Sequence, residues 1–314
     1  AIPHTRPLAV TAHSTNKDLI ASAYLAYDLR LISRIARVLG RGEEARAYET
    51  AAERSRDAFN ERFLSENGEY LGDTQTAYAM AFALDLVPPT RRAQVAQRFA
   101  ETVTRRDGRL ATGFIGTAFL LPALTEAGHN DLAYRVLQAT RYPSWGYMID
   151  NGATTIWELW NSDTEGPAMN SRNHFAFGVV AEWIQRYLVG IETSPVSPGY
   201  QQFVIRPRPG PGITHARGEY DSHHGTIISE WRRDGKRFIL NVTVPANTTA
   251  TVYLPRLDLS RPQIREGGKI VWRNGRYIAG REGITSGAAQ GDAIALGIGS
   301  GSYEFVVTEP ASES

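Results

Sequence analysis

The sequence predicts a multidomain chain with separate α and β parts, a helical domain followed by an all-β sandwich, and three observations carry the prediction. As far as Gly190, apolar residues recur at the three-and-four spacing of buried helix faces. At Ser194-Pro195-Val196-Ser197-Pro198-Gly199 the composition changes abruptly, and beyond it short β-rich runs alternate with turn residues. The expected domains are residues 1–192 and 193–314. A chain of 314 residues exceeds one comfortable core, which agrees with two.

The first helix is the clearest. Thr15 or Asn16 caps it, Leu19, Ala23, Ala26, Leu29, Ile32 and Ile35 form its apolar stripe, and Gly40 ends it. A second runs from Glu43 to about Phe63 and closes at the turn Glu66-Asn67-Gly68. Gln75 to Leu86 is a third, stopped by Pro88-Pro89, and Thr90 to Thr104 a fourth. Gly116 to Ala127, Asp131 to Ala139 and Ser171 to Leu188 complete a set of about seven helices joined by short loops. Strands are expected at Phe203 to Ile205, Gly225 to Arg232, Phe238 to Val244, Ala250 to Leu254, Ile270 to Trp272 and Ser302 to Thr308, with hairpin turns at Asp234-Gly235 and Asn274-Gly275. This spacing fits a sandwich of roughly 110 residues.

Composition excludes several function classes. The formal charge is +1, and the basic cluster Arg232-Arg233 is broken by Asp234 and Gly235, so nucleic acid is not an expected partner. No apolar run reaches the ~20 residues that span a bilayer, so no membrane is expected either. Without cysteine there is no disulfide, thiolate catalysis or cysteine-ligated zinc, and the compartment stays open. The segment Ala1 to Pro7 has no signal-peptide form. His215, His223 and His224 include an adjacent pair, but adjacent side chains in a strand point to opposite faces, so metal binding by that pair is not expected. No cofactor is expected.

The chemistry is expected at Tyr142 to Trp160, which holds three Trp and two Tyr beside Asp150 and Glu158 and shows no clean helical or strand period. Aromatic faces pack on the C–H faces of a pyranose, and carboxylates bind its hydroxyls, so a sugar pocket needs this mixture. An aromatic loop capping the core, with Asp150 and Glu158 as caps or ion pairs, fits the composition equally well. Glycosidases use two carboxyl groups, and a carboxylate among tryptophans loses water, which favours its protonated form. Glu158 has the surroundings for such a base.

Longer matches then become specific. Gly152-Ala153-Thr154-Thr155-Ile156-Trp157-Glu158-Leu159-Trp160, Met169-Asn170-Ser171-Arg172-Asn173-His174-Phe175-Ala176-Phe177-Gly178 and Glu182-Trp183 resemble the core signature of bacterial α-L-rhamnosidases, glycoside hydrolase family seventy-eight. Lys17 to Tyr24, Thr112 to Thr117, Pro143 to Tyr147 and Val244 to Pro255 add to the resemblance, in the family's order. It implies an (α/α)6 barrel followed by a C-terminal β-sandwich, and hydrolysis of terminal α-L-rhamnose from a rhamnosylated glycoside or oligosaccharide with inversion. Glu158 matches the general base and His174 a rhamnose contact; Trp145 and Trp157 are the expected pocket walls. For His174 the reading without the resemblance is a capping or core histidine.

The family's general acid lies in an upstream Asp-Cys-Pro-Gln-Arg-Asp-Glu-Arg-Leu-Gly-Trp motif, and nothing like it occurs here. Ala9-Val10-Thr11-Ala12-His13 stands where a Gly-Asp-Trp segment is expected. About seven helices against the twelve or so of a closed barrel imply an incomplete barrel, whose missing N-terminal part or another chain would complete it. The expectation is a piece of a longer enzyme with little activity alone; full activity would direct attention to Glu126, Asp107 or Asp150 as a substitute acid. Two other readings stay open, a non-catalytic carbohydrate-binding or assembly protein, and another α/α-barrel polysaccharide hydrolase or lyase with Tyr147 and Arg141 as base and carboxylate partner.

Overall fold

The computed structural model describes residues 15–166, 171–194 and 196–310. Ala9 to His13, Met169, Asn170 and Pro195, all used in the sequence reading, lie outside the described residues. Packing divides the chain into two compact units, Ala1–Val180 and Ala181–Ser314.

In the first unit, helices α1 (Lys17–Val38), α2 (Gly42–Phe63), α3 (Gln75–Ala83), α4 (Arg92–Thr104), α5 (Phe114–Glu126) and α6 (Asn130–Leu137) pair as hairpins, α1 with α2, α3 with α4 and α5 with α6. The first helix of each hairpin also touches the first helix of the next: α1 meets α3, α3 meets α5, and α5 meets a 3-10 turn at Ala176–Val179. This makes an inner row backed by outer helices, and the sequence shows why. Residues Gln75 to Phe82 of α3 are all buried, and α5 reads Phe-Ile-Gly-Thr-Ala-Phe-Leu-Leu-Pro-Ala-Leu, apolar all round, as helices covered on several sides must be. Gly116 lets α5 approach α3 closely, since a Cβ there would lie 2.2 Å from Thr76 Oγ1.

Caps set the starts. The Asn16 side chain accepts the N–H groups of Asp18 (2.8 Å) and Leu19 (3.1 Å), and Thr74 Oγ1 accepts that of Ala77. The third helix is shorter than expected, because Asp85 turns left-handed (φ 53) and ends the run before the prolines are reached. A short helix not expected from periodicity, α7 (Trp145–Asp150), begins where Ser144 Oγ accepts the Tyr147 N–H. The expected single helix from Ser171 to Leu188 is instead broken. Residues 171–175 are irregular, and after the 3-10 turn come α8 (Val180–Trp183) and a π-helical stretch, Ile184–Val189. The irregular part is held by hydrogen bonds to the loop that precedes it, described below, which compete with helix formation.

The second unit is a β-sandwich. One sheet has the order β1 (Ile191–Thr193), β2 (Gln202–Ile205), β6 (Thr249–Pro255), β11 (Ala293–Ile298), β10 (Ile284–Gln290). The other runs β3 (His215–Ser222), β4 (Gly225–Asp234), β5 (Arg237–Val244), β12 (Gly301–Thr308), β7 (Gln263–Glu266), β8 (Lys269–Arg273), β9 (Arg276–Tyr277). Only the β2 and β6 pair is parallel among the described strands. Alternation in β5 buries Phe238, Leu240, Val242 and Val244 on the inner face. Asn274 (φ 53) and Gly275 (φ 76) both take positive φ in the tight turn between β8 and β9, as the sequence pair suggests. The residues from Ala181 to Val189 belong with this unit: Ser229 Oγ donates to the Val189 carbonyl (2.8 Å) and the Trp231 indole to that of Leu188 (2.7 Å).

Candidate active site

The loop between α7 and the 3-10 turn is tied to itself by reciprocal backbone contacts. The Glu158 N–H donates to the Ser171 carbonyl (2.9 Å), and the His174 N–H donates to that of Ile156 (2.8 Å). Thr155 Oγ1 donates to the Arg172 carbonyl. In return the Ser171 N–H donates to Oε2 of Glu158 at 2.8 Å. The half-buried carboxylate is therefore fixed by a charge-assisted bond on one oxygen. Its other oxygen, Oε1, has no partner among the described residues.

Beneath the loop lies a layer of rings. Trp157 (3 % exposed) packs with Met148 and Phe177, and Ile156 and Trp160 close on the same cluster. The Arg172 guanidinium sits over the Trp157 ring, 5.8 Å from its centroid, and donates to the Ser162 carbonyl (3.1 Å). Trp145 (6 % exposed) donates its indole N–H to the Phe177 carbonyl at 2.9 Å and meets Trp160 edge-on. Trp160 in turn stacks on Phe177 (3.8 Å) and donates to the carbonyl of Thr112, just ahead of α5. Both expected wall residues are thus largely inside the packing, where they support the loop from below.

His174 is stacked between Phe114 (4.9 Å, interplanar 17°) and Phe175 (5.2 Å, 12°). Its Nδ1 accepts the Ala176 N–H at 3.2 Å, so the neutral ring carries its proton on Nε2 and can donate it to a ligand hydroxyl. Phe114 comes from the start of α5, so the inner row itself presents one face of this histidine.

Three further groups enter the site that the sequence reading did not single out. Phe114 and Phe177 come together only through long-range packing, at 5.0 Å and edge to face. Asp163 accepts the Tyr147 hydroxyl on Oδ2 (2.8 Å), while its buried Oδ1 lacks a hydrogen-bond partner among the described residues. That bond to Asp163, with burial a smaller cause, pushes the Tyr147 phenol above its ordinary range. A phenol held protonated in this way is poorly suited to the role of a lyase base, and Arg141 is exposed on the surface. Of the candidate substitute acids, Asp107 and Asp150 are exposed at helix ends, and Glu126 ends α5, about 18 Å along the helix from the Phe114 end. Among the described residues no group of three His, Cys, Asp or Glu is placed to hold a metal ion, and no helix is long and apolar enough to cross a membrane.

Helical hairpins with a carboxylate and stacked rings in the loop before the last inner turn, followed by a β-sandwich, define the architecture of a hairpin glycosidase domain with a C-terminal β-domain. The chain belongs to the bacterial α-L-rhamnosidase family: the bacterial alpha-L-rhamnosidase 6 hairpin glycosidase domain matches residues 7–188, and the bacterial alpha-L-rhamnosidase C-terminal domain matches residues 190–269. An alpha-L-rhamnosidase of Streptomyces avermitilis is 39 % identical over 298 residues, which cover 93 % of this chain and 27 % of that protein. The chain thus spans about a quarter of the length of the curated relatives it matches. The crystal structure of the Streptomyces avermitilis alpha-L-rhamnosidase complexed with L-rhamnose superposes with a TM-score of 0.81 at 38 % identity, over 94 % of this chain and 27 % of that one. An alpha-L-rhamnosidase structure from Dictyoglumus thermophilum superposes at 0.84 and 30 % identity, over 95 % of this chain and 33 % of that one.

Proposed function

We propose that this chain carries the general-base half of an inverting hydrolase that releases terminal α-L-rhamnose. Glu158 takes a proton from the attacking water, His174 donates from Nε2 to a sugar hydroxyl, and Trp145 and Trp157 hold the apolar wall against which the ring packs. The observation that supports this reading is the state of the Glu158 carboxylate: Oε2 is held by the Ser171 amide, while Oε1 is left without a protein donor among the described residues. A base needs that combination, one oxygen that fixes its position and one free to receive a proton. The rhamnose bound in the Streptomyces avermitilis relative supports the choice of sugar.

The departing oxygen must be protonated from the opposite side, by a carboxyl group roughly 6.5–9.5 Å from the base in an inverting enzyme. On this reading the acid comes from a further segment of the same polypeptide or from another chain that completes the hairpin domain. The outer stripe of α1 supports the idea. Leu25, Ile35 and Val38 are 55 %, 58 % and 87 % exposed, an apolar helix face of the kind that another helix covers.

The test has two arms, both on the 314-residue chain. Titration with L-rhamnose, followed by NMR at His174 and Trp157, is expected to give saturable shifts. Methyl α-L-rhamnoside, whose leaving group needs a proton, is expected to stay intact. Absence of rhamnose binding would contradict the pocket, and full turnover of the methyl glycoside would contradict the placement of the acid.

A further inference from the structure

The rings around His174 form an open apolar surface to which the hydrolytic reading gives no task. The imidazole has a phenyl group on each face, Phe114 at 4.9 Å and Phe175 at 5.2 Å, both within 17° of parallel. Trp145 and Trp157 are shut inside the packing, but these phenyl groups are not: Phe114 is 42 % exposed and Phe175 85 %. Phe114 is held at the start of α5 by its edge-to-face contact with Phe177 (5.0 Å). With both faces of the imidazole covered and Nδ1 occupied by the Ala176 N–H (3.2 Å), a ligand hydroxyl reaches the ring at Nε2. A hydroxyl held there lies between two phenyl edges, so the groups bonded beside it come against apolar surface.

That geometry selects among the hydroxyls of the sugar. L-Rhamnose is 6-deoxy-L-mannose, with hydroxyls on C2, C3 and C4 besides the anomeric one. O2 and O3 have only oxygen-bearing carbons beside them. O4 alone has an apolar neighbour, C5 with its methyl group. A donor set between phenyl groups favours O4, because the methyl then leaves water for apolar surface, whereas a hydroxyl in its place would lose hydration without gaining a partner. The choice also leaves C1, across the ring from C4, to face Glu158.

We propose, resting on the hydrolase reading above, that Phe114 and Phe175 determine specificity for the 6-deoxy sugar. His174 Nε2 donates to O4, and the two phenyl groups receive the C6 methyl. They govern which sugar binds and take no part in proton transfer.

The probes are L-rhamnose, L-mannose, which carries a hydroxyl on C6, and L-lyxose, which lacks C6 altogether. Each is titrated into the isotope-labelled full chain with the His174 ring signals as the readout. L-Rhamnose is expected to bind about tenfold more tightly than either, the scale set by one methyl group or one added hydroxyl in an apolar pocket. Phe175→Ala is expected to cut that preference to about threefold or less, chiefly by weakening L-rhamnose, while Phe175→Leu keeps apolar surface in place and retains it. Phe175 is exposed, so both variants are expected to keep the parent spectrum away from the site. A phenyl group that only props up His174 would, on removal, weaken all three sugars alike and leave the ratio unchanged. Absence of L-rhamnose binding would sink the hydrolase reading and this inference with it. Equal binding of the three sugars by the parent chain, a preference that survives Phe175→Ala, or a loss as large in Phe175→Leu would overturn this inference alone.

Discussion

Replacing Trp145 and Trp157 singly by Phe isolates the bond that ties the last inner turn to the site. Both substitutions remove the same atoms from a buried indole, so the loss of ring volume largely cancels in the comparison. What differs is polar. Trp145→Phe leaves the Phe177 carbonyl without its 2.9 Å donor, and an orphaned buried acceptor costs about 1–3 kcal/mol. Trp157→Phe instead weakens the stacking of the exposed Arg172 guanidinium, worth roughly 0.5–1 kcal/mol. Trp145→Phe should therefore be the more destabilising by about 1–2 kcal/mol. For a unit of this size that is a melting difference of about 2–8 °C. The assay is calorimetry of the full chain, with the helical circular dichroism signal assigning the transition. Equal melting temperatures, or a lower one for Trp157→Phe, would refute the claim that the Trp145 to Phe177 bond anchors the ring layer.

Other outcomes follow from the same structure. Gly116→Ala forces a Cβ to within 2.2 Å of Thr76 Oγ1 and should cost about 1–3 kcal/mol in denaturant titration, with part of the loss recovered in combination with Thr76→Ala. Asp163→Asn should bring the Tyr147 phenol back down towards its ordinary value, measured by NMR titration. Because the folded value is raised, the stability this phenol contributes is fully present below the unfolded value of about 10 and is lost as pH rises through the folded one. Ile35→Lys with Val38→Lys on the exposed stripe of α1 should change stability by no more than about 0.5 kcal/mol each while reducing self-association in sedimentation.

The helical hairpins were legible in the sequence because Leu19, Ala23 and Ala26 repeat at helical spacing and Asn16 provides a cap. The short helix α7 was not, since six residues are too few to establish a 3.6-residue period, and its start depends on one serine hydroxyl. The break at residues 171–175 was hidden for a different reason: it is imposed by hydrogen bonds to Thr155, Ile156 and Glu158, partners a periodicity cannot display. In the β-unit, β5 and β6 alternate cleanly, whereas β10, Ile-Thr-Ser-Gly-Ala-Ala-Gln, has too few β-branched or aromatic residues to stand out and is a strand because β11 pairs with it. The same division holds in the site. Glu158 was visible from its aromatic neighbours in sequence, but Phe114 beside His174 and Asp163 beneath Tyr147 are supplied by folding.

We propose that Glu158 acts as a base whose acid partner is supplied from outside the described residues. α-L-Rhamnosyl fluoride tests it most directly, because fluoride departs without a proton and the acid is no longer needed. The 314-residue chain is expected to hydrolyse the fluoride with inversion, to leave methyl α-L-rhamnoside intact, and to lose the fluoride reaction on Glu158→Gln. Rhamnose binding without fluoride hydrolysis, or hydrolysis that survives Glu158→Gln, would contradict it.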